Sequence, residues 1–280
     1  MNRPPMGPEV ATSSLAPQAS PLAIICGGGA IPFAVADAAR VERLPHHWIA
    51  VGQVGRFVRL ARNEGCREVV FIGSAVRPPW RALRLDWLTL RILPRVIASY
   101  RGGDDHLLSG VARIFEDQGF RLVGAHEVAP EILVPEGAVG TRTPSERDHK
   151  DIARALALLR AIGPFDVGQA VVVADQYVLA VEAAEGTDEM LARIAELRAR
   201  GRIPTPNRVG VLVKAPKPGQ DRRFDLPSIG PRTVAEVARA GLAGLAVVAG
   251  QTIIAEPALV ARAADDAEVF VIGIRDDRPT

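Results

Sequence analysis

Only two of the 280 residues are cysteine, Cys26 and Cys66, and only 5% are aromatic. Two thiols so far apart in sequence exclude a disulfide scaffold and a thiolate metal site, and both read as small buried core residues. An excess of one charge is missing as well. The 34 basic and 32 acidic residues are mixed along the chain and leave a net charge of +2, so no basic tail or stripe argues for nucleic acid as a partner. Long apolar runs are absent. Stretches such as Leu242–Ala249 are bounded by Gly241 and Gly250 and fall far short of a membrane span, so any membrane contact is peripheral. Residues 1–20, rich in Pro, Ala and Ser, contain no apolar core of a signal peptide and read as a disordered leader, with the cytoplasm as the expected compartment. Neither a G-x-S-x-G elbow nor an H-E-x-x-H helix occurs, which removes support for serine-hydrolase and zinc-protease chemistry.

What is present is ordinary globular material, 48% hydrophobic and 24% charged, long enough for two compact domains. Leu22–Cys26 is an apolar run that ends in Gly27-Gly28-Gly29 and precedes a helical pattern from Pro32. Helical spacing of Val54, Phe57, Val58 and Ala61 stops at Gly65 and gives way to a strand over 68–72. Helices are expected over 86–100 and 105–118 and a strand over 120–123. Residues 129–145, rich in Pro and Gly, read as a linker, with the domain boundary near Val139. Beyond it the alternation resumes: helix 146–161, paired strands 170–174 and 177–183, helix 188–200 and strand 209–214. Helix 231–240, strands 245–248 and 252–254, helix 257–264 and strand 269–274 follow. The fold class is therefore α/β, with residues 21–138 and 139–280 as two domains and largely parallel sheets covered on both faces.

Several segments can carry chemistry. Bare amides at Gly27-Gly28-Gly29, between a strand and a helix, suit a phosphate, although a tight structural turn explains them equally well and the full dinucleotide fingerprint is missing. The segment Lys214–Ser228 is long for a loop and mixes Lys214, Lys217, Arg222 and Arg223 with Asp221 and Asp225, while Pro216, Pro218 and Pro227 stiffen it. Such a loop suits an anionic substrate bridged by a metal ion. Its structural alternative is a solvated loop whose charges pair with one another. Thr187 can cap the helix after Glu185-Gly186, and Asp104 the helix after Gly102-Gly103. Asp104 and Asp105 also form a carboxylate pair available to Mg²⁺. His126-Glu127 sits at a strand end, where a hydrogen-bonded structural histidine is the simpler role. His46-His47 lacks a third ligand nearby.

Taken in order, G-G-G-A-I-P (27–32), G-G-D-D-H-L-L (102–108), G-A-H-E-V (124–128), D-V-G-Q-A-V-V-V (166–173), A-V-E-A-A-E-G-T-D (180–188) and V-K-A-P-K-P-G-Q-D-R-R-F-D-L-P-S-I-G (213–230) resemble the metal-dependent UDP-2,3-diacylglucosamine pyrophosphatases of lipid A biosynthesis. That resemblance implies a Rossmann-like N-terminal domain, a C-terminal α/β domain, and a ligand cleft between them. It implies Mg²⁺-dependent hydrolysis of UDP-2,3-diacylglucosamine to UMP and 2,3-diacylglucosamine 1-phosphate. The acyl chains make that substrate amphipathic, so an apolar groove beside the phosphate site and transient residence at the inner face of the cytoplasmic membrane are expected, with a homo-oligomer as a candidate assembly. Asp225 matches the family's catalytic aspartate and is the expected metal ligand or water-orienting base, with Lys214 as its catalytic partner. Gly28, Gly29, Ala30, Ile31, Gly73, Ser74, Asp104, Gln169 and Thr187 are carried over as substrate-site neighbours. One departure stands out: between Ala39 and Trp48 the chain has only a few residues where the family has a further strand and loop. Trp80, Leu83, Leu85, Trp87 and Leu88 are a candidate apolar patch, with an ordinary partly buried helix as the simpler account. A non-catalytic nucleotide-sugar or acylated sugar-phosphate binding protein, which would not need Asp225, is the competing reading. A nicotinamide oxidoreductase, suggested only by the glycine turn, is the third.

Overall fold

The computed structural model describes residues 21–26, 52–73, 84–99 and 104–275, together with Pro32, Val35 and Ile49. The leader, His46-His47 and the Ala39–Trp48 departure lie outside them. In the N-terminal part, β1 (Leu22–Cys26), β2 (Glu68–Ile72) and β3 (Arg121–Leu122) form a parallel sheet in the order β1-β2-β3. Helix α1 (Val54–Asn63) forms where the apolar spacing predicts it and buries Val58 and Ala61. It packs beside α2 (Trp87–Ser99) and α3 (Asp104–Asp117). One carboxylate ties two of these helix starts together: Asp86 accepts the Thr89 amide at 2.9 Å and hydroxyl at 2.8 Å, and the Arg56 amide at 2.9 Å. Satisfying otherwise orphaned amides at a helix start is worth about 1 kcal/mol each. The thiols depart from expectation: Cys26 is exposed and Cys66 half-buried, because Cys26 ends β1 and Cys66 lies in the connection before β2.

The turn after β3 enters a short helix, α4 (Ala125–Val128), rather than continuing as a strand. The Pro- and Gly-rich segment beyond it is an ordered connection. Leu133 bridges Ile253, the Val134 amide donates to the Thr252 carbonyl at 2.9 Å, and β4 (Gly137–Ala138) pairs with the last strand.

The larger sheet runs β4-β11-β9-β7-β5-β6, with β5 (Ala170–Ala174), β6 (Tyr177–Val181), β7 (Val211–Lys214), β9 (Gly244–Val248) and β11 (Phe270–Ile274). Only β7, β9 and β11 are mutually parallel, while β4, β5 and β6 join antiparallel. The sheet is thus mixed rather than largely parallel, because the short β5–β6 hairpin leaves no room for a crossover helix. That hairpin turns through Asp175 (φ 52°) and Gln176 (φ 63°), the left-handed geometry that two-residue hairpin turns require. Asp151 fixes it by accepting both amides, at 3.0 and 2.6 Å.

Side-chain alternation makes the sheet the middle of three layers. Val172, Leu212, Leu245, Val247 and Val271 face α6 (Gly186–Ala199), α7 (Pro231–Arg239) and α8 (Pro257–Asp266). Val171, Val173, Val213, Ala246 and Val248 face α5 (Glu146–Ile162). Helix α5 starts at Ser145, whose backbone amide donates to the Asp148 carboxylate at 2.9 Å in a capping box. The small pair β8 (Ser228–Ile229) and β10 (Ile253–Ile254) closes the region between the sheets.

Candidate active site

Strand β7 ends at Lys214, and parallel β9 ends beside it, in register Lys214 with Val247. This carboxyl edge of the parallel strands is where open α/β sheets hold ligands. Antiparallel β5 begins at the same edge, with Ala170 opposite Lys214, so Gln169 lies next to it. Strand β6 ends there too and delivers Glu182. Gly168 lets the two chains close up, since a β-carbon on it would stand 2.2 Å from the Glu182 carbonyl oxygen.

Lys214 and Glu182 are each only 8% exposed. The ammonium donates to the Ser228 carbonyl at 3.1 Å. Burial pushes its pKa down, against the opposing pull of the Glu182, Asp188 and Asp225 carboxylates. Glu182 accepts the Gln169 amide at 2.9 Å and the Thr187 hydroxyl at 2.6 Å. Thr187 therefore does not cap its helix as expected: α6 begins at Gly186, and its N-cap, Glu185, makes no side-chain cap bond. The hydroxyl is turned toward the buried carboxylate instead. The Gln169 side-chain oxygen is buried without a hydrogen-bond partner, an unmet acceptor in a polar site.

The β7–β8 loop brings in Asp225, whose carboxylate accepts the Gln220 side-chain amide. Phe224 and Leu226, on either side of it, are sunk into the N-terminal part. The Phe224 ring packs 5.6 Å from Phe71, which touches Phe115 at 5.2 Å, while Leu226 joins the cluster of Val35, Val70, Ile72 and Val123. Arg223 reaches Glu116 at 2.9 Å and Asp221 at 2.8 Å. The loop's charges thus pair partly with one another and partly with other elements, as Lys217 also does with Asp166. The loop spans the two sheets and holds Asp225 at their junction.

Lys214, Gln169, Thr187 and Asp225 are brought together, and Glu182, Asp188 and Ser228 belong to the same cluster. Glu182 and Asp188 stand inside the A-V-E-A-A-E-G-T-D motif, but only Glu182 is buried, and burial is not written in the motif; Asp188 is half-exposed and pairs with Arg232 at 3.0 Å. Gly73 lies apart, exposed at the end of β2 with φ 94°. Asp104 is the first residue of α3. Gly28, Gly29, Ala30, Ile31 and Ser74 lie outside the described residues. His126 differs from the hydrogen-bonded histidine expected. Its Nδ1 is buried without a hydrogen-bond partner, and burial followed by the nearby Arg222 charge lowers its pKa. Among the described residues, no three His, Cys, Asp or Glu side chains gather to hold a metal by themselves.

The family model described as the LpxI C-terminal domain matches residues 135–272, and that of the LpxI N-terminal domain matches residues 40–132. The chain belongs to the LpxI family. It is similar to the UDP-2,3-diacylglucosamine pyrophosphatase LpxI of Caulobacter vibrioides, at 42% identity over 271 residues, covering 90% of this chain and 97% of the relative. The buried cluster falls within the C-terminal LpxI match, while the contacts of Phe224 and Leu226 reach into the N-terminal match.

Proposed function

We propose that this LpxI-family chain hydrolyses UDP-2,3-diacylglucosamine to UMP and 2,3-diacylglucosamine 1-phosphate in lipid A biosynthesis. The observation that carries the reading is the buried Lys214 ammonium at the carboxyl edge of the parallel strands, with Asp225 brought to it by the loop between the sheets. A pyrophosphate diester carries two negative charges that repel an attacking water. Lys214, with Ser228 its only hydrogen-bond partner among the described residues, has donors left for phosphate oxygens, and in a dry site its charge stabilises the negative charge that develops on the leaving phosphate. Asp225, held by Gln220, orients the attacking water and takes its proton. The water oxygen bonds to phosphorus, the bridging P–O bond breaks, and its electrons leave with the departing phosphate.

On the family resemblance, the N-terminal part serves as a Rossmann-like domain, and Gly28, Gly29, Ala30, Ile31, Gly73, Ser74 and Asp104 belong to its substrate-binding set. Gln169 and Thr187 contact the substrate from the C-terminal side. The donor set fits Mg²⁺. This hard cation takes one or two carboxylates and completes its shell with water and substrate phosphate oxygens, so Asp225 suffices as an anchor without a three-carboxylate cage. When bound, the ion neutralises pyrophosphate charge. The diacylated substrate places the work at the inner face of the cytoplasmic membrane.

The test incubates the protein with UDP-2,3-diacylglucosamine and Mg²⁺, with and without EDTA, and follows UMP beside Asp225→Ala. UMP release that needs metal and is lost in the variant supports the reading. Substrate binding by folded protein with no UMP under several divalent ions refutes it.

A further inference from the structure

Helix α2 (Trp87–Ser99) has two apolar faces where a helix on a solvated surface has one. Thr89 and Ile92 are buried, and Leu88 packs against the N-terminal core. On the other side Trp87 is 82% exposed, Leu90 46% and Ile97 53%, and Pro94 is exposed between them. Positions 87, 90, 94 and 97 step by three and four, so at 100° per residue they share a stripe about 80° wide. Arg91 and Arg95 follow the same spacing along one border of that stripe, and both are exposed.

No Asp or Glu occurs within the helix, and from Arg77 to Arg101 the sequence holds six arginines against a single carboxylate, Asp86. That carboxylate is engaged in capping α1 and α2. Arg95 also bridges Asp117 at 3.1 Å, with both side chains largely exposed. An outward tryptophan, an aliphatic stripe and a cationic border on a helix that carries no acid of its own is the pattern of a helix lying in a bilayer interface, with the ring at headgroup level and the guanidinium groups toward anionic lipids. No helix among the described residues is long and apolar enough to cross a membrane, so contact through one face is the available mode.

We infer that the outer face of α2 docks on an anionic lipid surface. The cationic border argues against a second copy of this chain as the occupant, since two copies of α2 would set arginines against arginines.

The full chain is mixed with vesicles of phosphatidylcholine alone or with about one-third phosphatidylglycerol, and the bound fraction is read by co-sedimentation. The native protein is expected to partition onto the anionic vesicles and to lose about tenfold or more of that partition in Trp87→Ser/Ile97→Ser and in Arg91→Glu. All three positions are exposed, so unchanged thermal melting shows that each variant is folded. The proposal is overturned if anionic vesicles bind no better than neutral ones, or if the variants retain native binding. It is equally overturned if sedimentation equilibrium shows a dimer that these substitutions dissociate. None of these readouts depends on turnover, so failure here is separable from failure of the hydrolase reading.

Discussion

The coupling between Glu182 and Lys214 is the feature of the site most open to measurement. Both are almost fully buried, and Glu182 is the largest of the carboxylate influences on the ammonium. They form no direct ion pair. As a scale for that coupling, unit charges about 6 Å apart at an effective dielectric of about 20 attract by about 3 kcal/mol. Glu182→Gln removes that attraction and weakens the acceptor for the Gln169 amide and Thr187 hydroxyl. Lys214→Met removes the other partner while keeping the length of the side chain. Urea unfolding of the native protein, both single variants and the double variant closes a thermodynamic cycle in which the pair is expected to be non-additive by about 2–3 kcal/mol at neutral pH. The sign with pH follows from the lowered Lys214 pKa. Charged Lys214 costs stability in the folded state; that cost begins to fade as pH rises through its folded pKa and is gone only above the ordinary lysine pKa. The attraction of Glu182 is lost earlier, as Lys214 deprotonates in the folded state below the ordinary lysine range. Additivity within about 0.5 kcal/mol at neutral pH, or a coupling that grows toward alkaline pH, refutes the reasoning.

With protonated Lys214 in the role proposed for it, kcat/KM is expected to show a basic limb, with activity falling as pH rises at values below those of an ordinary lysine. Lys214→Arg, which stays charged, is expected to keep partial activity without that limb, and an identical limb in the variant counts against the assignment. Phe224→Ala empties the contact with Phe71. For a half-buried ring the expected cost is about 2–3 kcal/mol in urea unfolding, together with a fall in kcat because Asp225 loses its anchor to the N-terminal part. Native kcat in a destabilised variant would show that the ring serves stability alone.

Most of the elements were legible because their apolar periodicity is regular. The Val54, Phe57, Val58 and Ala61 spacing gives α1, and the unbroken apolar runs give β7, β9 and β11. Sheet direction was not equally legible, since an apolar run has the same pattern whether its neighbour runs parallel or antiparallel. Cys26 was misjudged for a related reason: its chemistry favours the interior, but its place at the end of β1 leaves it exposed, while Cys66, in the connection before β2, is half-buried against the N-terminal core. The outward Trp87 resisted reading because a helix with two apolar faces looks, in one dimension, like a buried one.

The sequence by itself determined the α/β class, the long Pro-stiffened loop with its mixed charges, and, through its motifs, the LpxI family and the choice of Lys214, Gln169, Thr187 and Asp225 as candidates. Only the tertiary structure decided that these four meet at one sheet edge, that Glu182 is their buried partner, and that Phe224 and Leu226 fasten Asp225 to the N-terminal part. The physical reason is that motif chemistry is local, whereas burial and charge coupling depend on which strand ends lie side by side. That adjacency is set by the packing of α5, α6, α7 and α8 on the two faces of the mixed sheet.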